Sequence, residues 1–184
     1  MTNSWGPTLT VALAAGGGGL FHSRKGKPCR WRITPLDGAA NFLHGQPQFV
    51  VSLALEARGQ VVVSVVHEPL TGTLYTARQG GGTFRNGKRV RVSPHKDPET
   101  AMPGMKAPGP DWPALPDFLR RFRRLSQTAA HVRSSGAASW DMAGVAGGWL
   151  DGFFAMDCTR RDAAAAVSSS RSRRRGLAAS REPS

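Results

Sequence analysis

The stretch from Phe49 to Val92 constrains the fold of this chain more than any other. FVVSLALEA and QVVVSVVHE are rich in valine and leucine and are joined by Arg58-Gly59, which can make a tight turn between two antiparallel strands. Glu68 to Gly72 forms the next turn and TLYTAR alternates as a third strand. Asn86-Gly87 then supplies a hairpin turn before KRVRVS, whose alternation puts Val90 and Val92 on one face. The pattern predicts an antiparallel meander at the centre of the chain.

Helical signals follow a break. His95 to Pro116 contains six prolines and little periodicity, so it reads as a connecting loop rather than a core element. DFLRRFRRL places Phe118, Leu119, Phe122 and Leu125 on one side and arginines on the other, the spacing of an amphipathic helix. SWDMAGVAGGWLDG predicts a second helix, with Ser139 as its cap and small residues that permit close packing. Asp162 opens DAAAAV, where alanine propensity and an acidic first turn predict a third helix start. At 184 residues the chain has room for one ordinary domain, or for a domain with unstructured ends. The domain spans 29–167, preceded by a divergent, flexible segment over 1–28 and followed by a disordered basic tail over 168–184. That tail, SSSRSRRRGLAASREPS, has too little apolar content to pack.

The net charge of +13 points to phosphate-bearing partners, but it is patchy. Met1 to Gly19 has no charged side chain. Arg120, Arg121, Arg123 and Arg124 cluster, and Arg160 to Ser184 holds seven arginines against Asp162 and Glu182. The helix arginines read as a solvated face, and the tail arginines as a surface that could attract RNA without sequence preference. Cys29 and Cys158 lack the paired spacing of a zinc or redox site, so a reduced, cytoplasmic protein is expected. Thr8 to Leu20 is mildly apolar, but no basic residue precedes it and it dissolves into Gly16 to Gly19. It reads as neither signal peptide nor membrane span. Those glycines also fit no nucleotide-binding loop pattern, and the five histidines show no ligand spacing.

One turn carries chemistry. Asp37 follows Pro35-Leu36 and precedes Gly38, so a sharp bend exposes both a carboxylate and a carbonyl oxygen, the donors that a hard cation such as magnesium takes. Taken alone, an Asp-Gly turn is usually only a turn. Its surroundings are more specific. WRITPLDGAANF, together with the strands that follow to GGGTFRNGKRVRVS, resembles the first signature of the inositol monophosphatase family, W-I-I-D-P-L-D-G-T-x-N-F, almost continuously from Trp31 to Ser93. RSSGAASWDMAGVAGGWLDGFFAMDCTRRDAAAA, Arg133 to Ala166, resembles the family's second block and its W-D motif.

The resemblance implies a layered α-β-α-β-α sandwich, incomplete at both ends here, and magnesium-dependent hydrolysis of phosphate monoesters such as inositol phosphate. In that family a cluster of carboxylates holds metal ions that activate water and stabilise the leaving alkoxide. Carried over position by position, Asp37 and the Leu36 carbonyl match metal ligands, as does Asp162. Gly38 and Ala39 fall where the phosphate is approached. Thr34 stands in place of the first aspartate, Ala39 in place of the threonine that orients water, and Ala155 in place of a substrate-contacting glutamate. Arg161 replaces the tryptophan of the W-D motif, and Ala14-Ala15 fall where the family has a Glu-Glu pair. No catalytic residue is assigned with all its partners present.

The implied partners are a small phosphorylated substrate and a second copy of the chain, with no membrane. Two readings remain open: an impaired phosphatase, or a catalytically inactive family member or fragment that binds protein or RNA. Ser168 to Ser184 also has the look of a shifted reading frame or truncation.

Overall fold

The computed structural model describes residues 19–22, 29–109, 112–156 and 177–179. Seven strands form one antiparallel sheet whose spatial order is their order in sequence: β1 (Gly19–His22), β2 (Cys29–Asp37), β3 (Val50–Ala57), β4 (Gln60–Glu68), β5 (Thr73–Arg78), β6 (Gly82–Arg85) and β7 (Lys88–Val90). The meander read from the pattern is there, and its turns explain themselves. Arg58-Gly59 and Asn86-Gly87 both hold positive φ at two successive residues, the backbone that matches the twist of a hairpin. Asn86 adds a side-chain reason: its Oδ1 accepts from Leu74 N at 2.7 Å. At the β4–β5 turn the buried Glu68 carboxylate accepts from Leu70 N, Thr71 N and Thr71 Oγ1.

A second, three-stranded sheet has the order β10 (Leu177–Ala179), β9 (Phe153–Ala155), β8 (Gly104–Met105), all parallel. Between the sheets lies α3 (Ala138–Gly147), buried around its whole circumference. Val50, Val66, Tyr75 and Ala143 form the core on the first sheet's side. Ala138, Met142, Val145, Leu150 and Phe153 form the core on the other. A helix apolar all round belongs between two layers, which is why its residues are small and show no amphipathic stripe. The amphipathic helix α2 (Leu115–Thr128) docks through Phe118, stacked on Phe154 with centroids 5.4 Å apart. The described layers therefore run sheet, helix, sheet, helix.

Several expectations need correction. His95–Pro116 is not wholly loop: Pro98–Thr100 makes a short 3-10 turn, and β8, with the buried Pro103 beside it, enters the second sheet. Proline spacing hides a two-residue strand that only a tertiary partner stabilises. Leu119 is 52% exposed rather than on the packed side of α2. The last meander strand stops at Val90, leaving Val92 46% exposed. Residues 19–22, within the segment 1–28, pair with the first sheet, and Leu177–Ala179, within 168–184, pairs beside β9. Both supply backbone hydrogen bonds to strands that would otherwise present unpaired edges. The expected helix start at Asp162 lies outside the described residues.

Candidate active site

The signature stretch is a strand for most of its length. Cys29–Asp37 is β2, and its register against β3 shifts between Thr34 and Asp37, where Pro35 cannot donate to the ladder. The irregularity carries Asp37 to the strand's end. There Gly38 takes φ 88°, and a Cβ on it would stand 2.6 Å from the Gln48 carbonyl oxygen. The short helix α1 (Ala39–Leu43) follows, with Ala39 exposed on its first turn.

Asp37 reaches α3. Its Oδ2 accepts from Ser139 N at 2.6 Å, so a carboxylate from the far side of the bend caps the helix and faces its positive end. Ser139 does not serve as the cap as the sequence suggested. Ala137 occupies the N-cap position and makes no side-chain bond, while Ser139 lies two residues further on in the first turn, 1% exposed, its Oγ without a hydrogen-bond partner among the described residues. Asn41 ties the same two segments together: its Nδ2 donates to Gln48 O at 2.6 Å and to Ser135 O at 2.7 Å.

Asp141, in the first turn of α3, is the site group that the motifs did not single out. It is 2% exposed and accepts from Ser135 N at 3.2 Å. Burial raises its pKa to about 6; the Ser135 hydrogen bonds oppose this and the negative charge of Asp37 adds to it. The available signal was an acidic residue inside an otherwise apolar helix pattern. Because the folded pKa lies above the ordinary 3.8, Asp141 contributes stability below pH 3.8 that is lost as pH rises through about 6. At neutral pH the loss is up to about 3 kcal/mol. Glu68 and Asp151 act oppositely. Burial raises each, but hydrogen bonds from Thr71 and Leu70 to the first, and from Ser93, Met102 and His95 to the second, hold both below the usual carboxylate value. Asp141→Asn is therefore expected to raise the melting temperature at pH 7.5 and leave it nearly unchanged below pH 4. Equal shifts at both pH values would show that the carboxyl is not held in this way.

The structure brings Asp37, the Leu36 main chain, Gly38 and Ala39 to one bend beside the N-terminus of α3, and Asp162 lies outside the described residues. Thr34 remains in the ladder opposite Ser52, and Ala155 is buried in β9. No group of three or more His, Cys, Asp or Glu able to hold a metal ion occurs among the described residues. One Asp37 oxygen already serves Ser139, and Asp141 is turned to Ser135. The donor set among the described residues therefore does not fit a tightly held magnesium ion, which needs carboxylates to offset its dehydration.

The profile of the inositol monophosphatase family matches residues 13–168. The chain is 42% identical over 138 residues to an inositol-1-monophosphatase of Rhizobium meliloti, covering 75% of this chain and 52% of that protein. It is 40% identical over 161 residues to the Nus factor SuhB of Pseudomonas aeruginosa, covering 86% and 59%. The crystal structure of the extragenic suppressor protein suhB from Bartonella henselae superposes with a TM-score of 0.77 at 34% identity, covering 82% and 57%. An inositol monophosphatase from Anabaena does so at 0.74 and 30%, covering 80% and 58%. Architecture and comparisons agree on a partial, layered α/β sandwich. This chain belongs to the inositol monophosphatase family. It spans little more than half the length of these relatives. No described helix is long and apolar enough to cross a membrane.

Proposed function

We propose that the chain is a family member that accepts a small phosphate monoester, of the inositol phosphate type, at the bend around Gly38, with magnesium-dependent hydrolysis severely impaired. One observation carries this reading: Asp37, the described counterpart of a family metal ligand, is held by the α3 N-terminus, while in the sequence Thr34 and Ala39 stand where the family signature has a carboxylate and a hydroxyl. Magnesium bound at Asp37 and the Leu36 carbonyl, completed by Asp162, would keep most of its waters and bind weakly. The chain's own contribution is positional. Gly38 lets the main chain approach closely, and the α3 N-terminus favours negative charge. The proposed setting is the cytoplasm.

A phosphate-release assay on inositol monophosphate with added magnesium tests this. Expected is release barely above the uncatalysed rate, unchanged in Asp37→Asn. Metal-dependent turnover that disappears in Asp37→Asn would overturn the impaired reading in favour of a working phosphatase.

A further inference from the structure

The first sheet distributes its side chains in the opposite sense from a sheet with one face in water. Residues paired across an antiparallel ladder share a face, so the register sorts them. Every buried residue of β3, β4, β5 and β6 lies on the face towards α3, where β3 and β4 nevertheless place small groups at Ser52, Ala54 and Ser64. The outer face takes larger apolar side chains. Leu53 and Leu55 of β3 and Val63 and Val65 of β4 stand there, flanked by Trp31 and Ile33 of β2, and none of them is buried. Trp31 is 37% exposed. A half-solvated antiparallel sheet alternates apolar residues inside with polar ones outside, so a continuous apolar strip on the outside marks a surface that a partner covers.

Size and charge choose the partner. The strip crosses β2 to β5, about 20 Å at strand spacing, and two such strips face to face hide on the order of 1,000 Å², the lower end of specific interfaces. Residues 1–18 bring Trp5, Leu9, Val11 and Leu13 as their large apolar side chains besides Met1, too few for that width. Among the described residues the arginines and lysines on the outer face are Arg78 and Arg89, both at its β5–β7 margin, so an acidic partner would meet charge along one edge and none over the strip. A second copy fits the strip and tolerates the chain's charge. The arginines of α2 lie beyond the second sheet, where Phe118 stacks on Phe154, so two copies joined by their first sheets hold those helices roughly 70 Å apart, many Debye lengths.

We propose that the outer face of the first sheet is a self-complementary interface on which a second copy of the chain packs, sheet against sheet. A two-fold axis along the strands, between β3 and β4, sets Leu53 against the partner's Val65 and Leu55 against the partner's Val63. The same axis brings Arg78 over the partner's Trp31, because both belong to the cross-strand row through Leu55 and Val63, and gives that cation an indole face. The face looks away from α3 and from the Asp37 oxygen bonded to Ser139, so the interface stands whether or not the phosphatase reading does.

Sedimentation velocity of the full chain at about 1–100 µM tests it. Expected is a dimer that persists at about 0.5 M salt, since apolar burial is not screened. Leu53→Lys with Val65→Lys would bury four unpaired lysines in the dimer and is expected to weaken it about a hundredfold or more. Leu53→Thr with Val65→Thr keeps strand propensity, is expected to weaken it about tenfold, and decides the matter if the lysine pair loses its circular dichroism signal. Arg78→Ala is expected to weaken it about threefold. Leu119→Lys, on α2 at the far end of the layers, is expected to leave it unchanged. The proposal is overturned if the parent is monomeric throughout, whether or not removing residues 1–18 then lets it associate. It is equally overturned if a folded double variant associates as the parent does, or if the dimer dissociates in salt.

Discussion

Gly38→Ala is expected to destabilise the protein by roughly 2–4 kcal/mol, far more than an alanine placed at a positive-φ glycine with open space around it. Two costs combine. At φ 88° an L side chain is strained, and the added Cβ would meet Gln48 O at 2.6 Å, Ala137 Cβ at 3.2 Å and Phe49 Cα at 3.2 Å. The nearest atom is backbone, so relief requires the start of β3 or the entry to α3 to move. Gly45 provides the control: it has φ 70° with nothing within 4 Å of a Cβ, so Gly45→Ala should cost only about 1 kcal/mol. Urea denaturation of the two variants separates strain from contact. Similar midpoints would mean that the bend at Asp37 has room to relax, and that it is not the rigid junction described.

Met142→Ala carries the other large effect, about 2–5 kcal/mol, or a fall of about 5–15 °C in melting temperature for a chain of this size. Met142 is 2% exposed on α3 and packs into the cluster with Leu150 and Phe153. Deleting its side chain leaves a cavity between helix and second sheet, in a layer where neighbours on both sides are already committed. Leu119→Ala on α2 deletes a side chain that is 52% exposed and should change stability by less than about 0.5 kcal/mol. Calorimetry that ranked the two equally would contradict the layer assignment.

How far these features could be read from the letters depended on how local their causes are. The hairpins were legible because Arg58-Gly59 and Asn86-Gly87 fix their own backbone, and because strand alternation needs only neighbouring residues. The role of Ser139 was misread for the opposite reason. A serine at the start of a helix normally caps it, but here the capping oxygen comes from Asp37, far away in sequence. The exposure of Leu119 and the small strand Gly104–Met105 were invisible for a similar cause, since each depends on what the second sheet covers. At the site, the signature identified Asp37, Gly38 and Ala39, yet nothing local announced that Asp37 would be engaged by Ser139 or that Asp141 would be buried beside it. Asp37 therefore has a structural task that survives any loss of chemistry, and its presence identifies the architecture more firmly than the reaction.

The ordering of the first sheet has a consequence for assembly. Each of its strands pairs with its neighbour in sequence, and from β3 to β7 the links are short turns, so little loop entropy opposes each addition. The second sheet is built differently: Gly104 must find Phe153, and Phe153 must find Leu177, with α2 and α3 lying between the first pair. Non-local, parallel pairing of this kind is slow. The meander is thus the early product of folding and the α3 layer the late one. During that interval the helix's two apolar faces are open to other chains, which makes the docking of α3 the step at which aggregation competes with the native fold.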